Sequence, residues 1–300
     1  MTVKWNLVTE MSQVEKTRVF SGGACNILDG EGNLLRSTER DRINDWLTAK
    51  GITFFDPQIH PNTHGREYDY DTDHKLEMAA RDAAKINLYE LSPRSFGGIT
   101  CFEIATDHFR WREPMVIYFS DGNAGEDTLP AHSERGHPLF VPDGIRDNPK
   151  AMTAHYREFV KSANSLRKYL MAFAQELDTL TVGFSDNPAR GDVVITPERM
   201  HATELFDAVA RAAAHERVFV TFTGGEKARD VKGNPLLLAP EAPPEVEKAA
   251  LLDQYLDEGN AVRRQIAELI AVSVYVRVVY TQDAAMQALG EVLKIAGVLE

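Results

Sequence analysis

Ile86-Asn87-Leu88-Tyr89-Glu90-Leu91, then after Ser92-Pro93-Arg94 the turn Ser95-Phe96-Gly97-Gly98, then Ile99-Thr100-Cys101-Phe102-Glu103-Ile104-Ala105: this stretch decides the fold. A short apolar run rich in β-formers stops at a turn containing proline and glycine. The turn opens a run of helical spacing that continues through Trp111. A strand that passes to a helix through a glycine turn is half of a βαβ unit.

The unit recurs on both sides. Thr17-Arg18-Val19-Phe20 reads as a first strand ending at Ser21-Gly22-Gly23. Thr38 reads as the N-cap of a helix with Ile43, Trp46 and Leu47 on its buried face and Gly51 at its end. Ile52-Thr53-Phe54-Phe55 is a second strand, stopped by Asp56-Pro57. A helix with Leu76, Ala79, Ala80 and Ala83 on one side precedes the 86–91 strand, and Met115-Val116-Ile117-Tyr118-Phe119 is the fourth. Such alternation predicts an α/β fold, a Rossmann-like doubly wound parallel sheet, over residues 1–121.

Residues 122–150 hold Pro130, Pro138, Pro142 and Pro149 and read as a loop or linker. Residues 151–300 return to α/β. A long helix from Met152 carries Tyr156, Phe159, Val160, Ala163, Leu166, Leu170 and Phe173 at helical spacing. Strands are expected at 192–195, 218–222 and 272–280, a helix start at Thr196-Pro197-Glu198, and helices near 244–258, 260–270 and 282–295. Whether this additional C-terminal α/β region extends the first sheet or builds its own stays open.

Composition narrows the function. With 43% hydrophobic and 26% charged residues the chain is globular. It has no run near the ~18 apolar residues of a membrane helix and no signal-type N-terminus, so no membrane partner and a cytoplasmic location are expected. A net charge of −12 opposes a nucleic-acid partner, which needs clustered Lys and Arg. Cys25 and Cys101 are far apart, and Pro61 separates His60 from His64. No metal and no cofactor are expected, the acid run Asp69-Tyr70-Asp71-Thr72-Asp73 being the nearest approach to a cation site.

Three loops stand at the carboxyl ends of consecutive strands: Ser21-Gly22-Gly23, Asp56-Pro57 and Ser95-Phe96-Gly97-Gly98. Open α/β sheets bind ligands at that edge, where glycine lets backbone amides approach closely. Glu103 lies about a turn into the following helix, where the helix dipole favours a carboxylate.

Val19-Phe20-Ser21-Gly22, Phe55-Asp56-Pro57, the acid-rich helix, the 86–91 strand, Ser95-x-Gly-Gly and Phe102-Glu103-Ile104-Ala105, in that order, resemble the nucleoside 2-deoxyribosyltransferase superfamily, which includes nucleotide N-glycosidases. The resemblance covers residues 17–121. It implies that Glu103 is the nucleophile and that Ser95, Gly97 and Gly98 line the sugar or phosphate site. It further implies that Phe20, Ser21 and Gly22 shape the pocket, with Gly23 and Asp56 beside them. An upstream acid that protonates the base or binds the sugar maps onto Asp71, Asp73 or Glu77, and Asp73 is the choice. The expected partner is a small nucleoside or nucleotide, and the expected assembly a homo-oligomer of at least two chains. Hydrolysis is favoured over transfer because Ala84-Lys85 and Ala105 depart from the family's pattern. The rivals are a nucleotide-sensing module of the same shape, without chemistry, and an unrelated α/β enzyme using His201 or His215.

Overall fold

The computed structural model describes residues 5–28, 34–92, 95, 97–110, 114–120, 131–132, 138–139, 148–184, 193–195, 202–223, 244–270 and 273–300. The chain runs through β1 (Val19–Gly23), a hairpin of β2 (Asn26–Leu28) and β3 (Leu34–Arg36), and α1 (Asp41–Ala49). Then come β4 (Phe54–Phe55), the single turn α2 (Pro61–His64), α3 (Tyr70–Ala83), β5 (Ile86–Leu91), α4 (Gly98–Phe109) and β6 (Met115–Phe119). Two short strands, β7 (Ala131–His132) and β8 (Pro138–Leu139), precede α5 (Pro149–Glu176). The remainder is β9 (Leu180–Phe184), β10 (Val193–Ile195), α6 (Ala202–Ala213), β11 (Val218–Phe222), α7 (Glu245–Ile270), β12 (Val276–Val279) and α8 (Gln282–Ile295).

The main sheet has five strands in the order β4-β1-β5-β6-β12, all parallel. Counting only its own strands along the chain, the order is 2-1-3-4-5, one of the two common doubly wound arrangements. Its strands are buried on both sides, as a parallel sheet between helices requires. Side chains alternate accordingly. Val19, Phe54, Leu88, Val116 and Tyr118 meet α1 and α8 on one face, while Phe20, Phe55, Tyr89, Ile117 and Phe119 share a core with α3 and α4 on the other.

The C-terminal region does two things. Its β12 pairs with β6 and extends the first sheet, and α8 packs Ala285, Leu289 and Val292 beneath it. Strands β10-β11-β9 form a separate three-stranded parallel sheet. Helices α5 and α6 pack between that sheet and α4, with α7 against all three helices, and Phe102 of α4 meets Phe206 of α6 at 6.3 Å. The Tyr156–Phe173 stripe is spent inside this core: of the residues expected there, all are buried except Val160, which packs partly buried against them.

Local readings are corrected in places. β1 runs on through Ser21, Gly22 and Gly23, which were expected as a loop. Gly22 lies between rings, and a Cβ there would stand 2.7 Å from the Phe20 ring and 2.9 Å from that of Tyr89. Thr38 is not an N-cap; α1 starts at Asp41, because Arg40 turns its side chain inward to the carbonyls of Ser21 and Ala24. The strand at 272–280 is shorter, Val276–Val279. The helix start at Thr196-Pro197-Glu198, His201, Trp111 and most of the 122–150 segment lie outside the described residues. No helix among the described residues is long and apolar enough to cross a membrane.

Candidate active site

In the 2-1-3-4-5 order the connections leave β1 and β5, which are neighbours, in opposite directions, so a crevice opens beyond their carboxyl ends. A cleft of 360 Å³ lies there, within the roughly 300–1,000 Å³ of small-ligand sites. Gly23, Ala24 and Cys25 close one side where β1 ends, and Ser95, Gly97 and Gly98 another where β5 gives way to α4. Glu77 of α3 and Glu103 of α4 line it as well, and α5 adds Glu158, Lys161, Ser162 and Ser165.

The α4 start is built for close approach. Gly97 sits in the left-handed region (φ 62°) and its amide donates to Ser95 Oγ at 3.3 Å. The amide of Cys101 is the first to reach an intrahelical carbonyl, that of Gly97. Those of Gly98, Ile99 and Thr100 precede it at the cleft wall, at the positive end of the helix dipole.

Glu103 follows one turn later and is 3% exposed. Burial pushes its carboxyl up to about 7; Asp107 adds to the rise, while Arg81, a hydrogen bond with Tyr169 and the more distant Arg40 oppose it. Its Oε1 accepts no hydrogen bond among the described residues, and Arg81 Nη1 stands 3.7 Å away. Glu77 is pushed up to about 8, first by burial and then by the Glu103 charge. Two carboxyls, both pushed above the ordinary carboxylate range, thus share one cleft. Such a pair can divide the labour of anion and proton donor near neutral pH. The Cys25 thiol, pushed up to about 12 by burial, is no nucleophile there.

The other expected residues lie elsewhere. Asp73 is fully buried and outside the cleft lining: its carboxylate takes both Arg66 Nη groups (2.7 and 2.5 Å) and the Asp69 amide (2.7 Å). These contacts, Arg66 first, hold it below the usual carboxylate range, the wrong direction for a proton donor. Asp56 is likewise structural, accepting from Asn44 Nδ2 (2.7 Å) and the Gln58 amide (2.9 Å) and pairing with Arg40 (3.3 Å). Ser21 donates to Asn44 Oδ1 at 3.0 Å, and Phe20 stacks on Phe55 beneath the cleft. Phe20, Ser21, Gly22 and Asp56 therefore support the floor, whereas Gly23, Ser95, Gly97, Gly98 and Glu103 line the cleft. His215 is an exposed residue just past α6, at φ 71°.

Several residues escaped the sequence reading. Gln58 Nε2 donates to the carbonyls of Cys25 (2.6 Å) and Ser37 (2.8 Å), and its Oε1 receives Arg36, itself paired with Asp41. Arg81, Asp107 and Tyr169 surround Glu103 from behind. On α3, positions 73, 76, 77, 80 and 81 share one helical face, so a charged stripe within an apolar one was the available signal. Among the described residues no group of three or more His, Cys, Asp or Glu could hold a metal ion. Comparison with family models, curated proteins and solved structures gave no match to the chain.

Proposed function

We propose that this cleft cleaves the N-glycosidic bond of a nucleoside, a nucleotide or a nucleotide-containing cofactor, with Glu103 as nucleophile and Glu77 as proton donor. The observation that carries the reading is the pairing of two carboxyls, buried Glu103 and half-buried Glu77, in one cleft at the switch point of the sheet. The sequence resemblance supports it independently at Glu103, Ser95, Gly97 and Gly98. Glu77 replaces Asp73 as the second acid because only Glu77 lines the cleft and is held protonated.

Departure of a base builds positive charge on the anomeric carbon. A Glu103 carboxylate oxygen bonds to that carbon as the C–N bond breaks, and the bond's electron pair goes to the base, which takes the Glu77 proton. In the second step water attacks the glycosyl ester and gives its proton to Glu77 while Glu103 leaves as carboxylate. A second base in place of water makes the reaction a transfer. The free amides at the α4 start suit a sugar hydroxyl or phosphate oxygen. A two-chain assembly belongs to the same reading, and light scattering at micromolar concentration checks it: a dimer is expected and a monomer contradicts that part alone.

The test is incubation with a panel of nucleosides, nucleotides and NAD, followed by chromatography for free base. Glu103→Gln keeps the shape and removes the attacking charge, so base release should fall by several orders of magnitude, about 5 kcal/mol or more in barrier. Release at near wild-type rate by that variant contradicts the reading. Tight binding without release from any substrate moves the protein to the sensor class.

A further inference from the structure

Two carboxylates flank one guanidinium. Arg81 is 1% exposed and reaches Asp107 with two arms, Nη2 to Oδ1 at 2.8 Å and Nε to Oδ2 at 3.1 Å. Asp107 Oδ2 also receives the Tyr89 hydroxyl at 2.5 Å and Asn87 Nδ2 at 2.7 Å. A carboxylate that accepts four hydrogen bonds is held rigidly, so Arg81 is fixed at one end. Its other arm donates to the Tyr169 hydroxyl at 2.6 Å. This leaves Nη1 at 3.7 Å from Glu103 Oε1, near enough for charge attraction and beyond a hydrogen bond.

That spacing is specific in its consequences. A guanidinium hydrogen-bonded to Oε1 would draw electron density from the carboxylate and weaken it as a nucleophile. With no cation behind it, burial and two neighbouring acids would leave Glu103 a neutral carboxylic acid. We propose that Arg81, clamped by Asp107, is a positioning residue of the reaction, standing close enough to Glu103 to favour the anion and too far to bind the attacking oxygen. The inference rests on the reading of Glu103 as nucleophile. The groups facing Glu103 are Glu77 and Arg81 from α3, Asp107 from α4, Tyr89 from β5, Tyr169 from α5, and Arg40 ahead of α1. Of these, Arg81 and Arg40 attract its charge, Arg81 the more strongly; Lys161 and Glu158 of α5 line the same cleft.

Two variants should move Glu103 in opposite directions. Arg81→Met with Asp107→Asn removes the clamped ion pair as a unit, so neither partner is stranded without the other, and the new amide oxygen can still accept from Tyr89. Glu103 then loses its cation together with the weaker repulsion of Asp107, so its titration midpoint should still rise, by less than loss of the cation alone would give. Asp107→Asn alone removes a repelling charge and releases Arg81 to close on Glu103, so the midpoint should fall while base release slows. Carbon-13 NMR of carboxyl-labelled glutamate, with the Glu103 signal assigned by its loss in Glu103→Gln, reads both midpoints without substrate. The acid limb of the pH profile of base release should follow them. Midpoints that stay still or move in the same direction, or an acid limb that ignores them, overturn the proposal. If the double variant does not fold, the downward shift in Asp107→Asn decides by itself. Failure of the wild-type protein to release base is a separate result and strikes the functional reading.

Discussion

Glu77→Gln tests the division of labour between the two carboxyls. Burial and the Glu103 charge push the Glu77 carboxyl up to about 8, so the protonated form is favoured at neutral pH. Gln has the same length and is likewise neutral, so the field at Glu103 and the shape of the cleft change little at that pH. What disappears is the proton. General acid catalysis contributes roughly 10²- to 10⁴-fold, about 3–5 kcal/mol in barrier, and only to the extent that the departing base needs protonation. The assay is turnover across nucleosides whose bases differ in leaving ability. Natural bases should lose the full factor, while a base that leaves readily as an anion should lose less than about tenfold. Substrate binding should be nearly unchanged, because the interaction strengthens only as the C–N bond breaks. A uniform loss across all bases, or less than about tenfold on natural ones, would refute the assignment of Glu77.

Stability should carry the same signature. Glu77 and Glu103 titrate higher folded than the ordinary 4.5, so the stability they contribute is complete below that value and is lost as pH rises through about 7 and about 8. The urea midpoint should therefore decline from mildly acidic pH toward pH 9, with a shallower decline in Glu77→Gln. Asp73 has the opposite sign: Arg66 holds it below 3.8, so its contribution is present above that value and is lost on further acidification. Asp73→Asn weakens two charged hydrogen bonds and the amide contact that starts α3, and should cost about 1–3 kcal/mol by denaturant titration. Its leaving-group dependence should stay that of the wild type, and a change there would return Asp73 to the chemistry. Gly22→Ala forces a methyl to within 2.7 Å of the Phe20 ring, costing about 1–3 kcal/mol; an unchanged melting temperature would contradict the packing described for β1.

Much of this was legible because it is local. Apolar runs ending in glycine or proline mark β1, β5 and β6, and the Gly97-Gly98 turn places Glu103 a turn into α4, inside the cleft. The join of β12 to β6 was not legible: a four-residue strand, Val276-Arg277-Val278-Val279, fits the edge of either sheet, and α8 packs under the first. That Glu77 lines the cleft and Asp73 does not was not legible for a similar reason. Both lie on one face of α3 a single turn apart, and the Arg66 side chain is folded back over Asp73. Asp107 and Tyr169 reach Glu103 from α4 and α5, and no sequence spacing relates 103 to 169.

The central claim is that Glu103 forms a bond to the sugar. A nucleoside bearing fluorine at the 2-position of the sugar destabilises the positive charge of both steps, and with a good leaving base it lets the ester accumulate. Intact-protein mass spectrometry followed by peptide mapping should show one added glycosyl mass, located on the peptide that carries Glu103 and absent from Glu103→Gln. An adduct on any other residue, or free base released with no adduct ever detectable while Glu103→Gln remains active, contradicts the account.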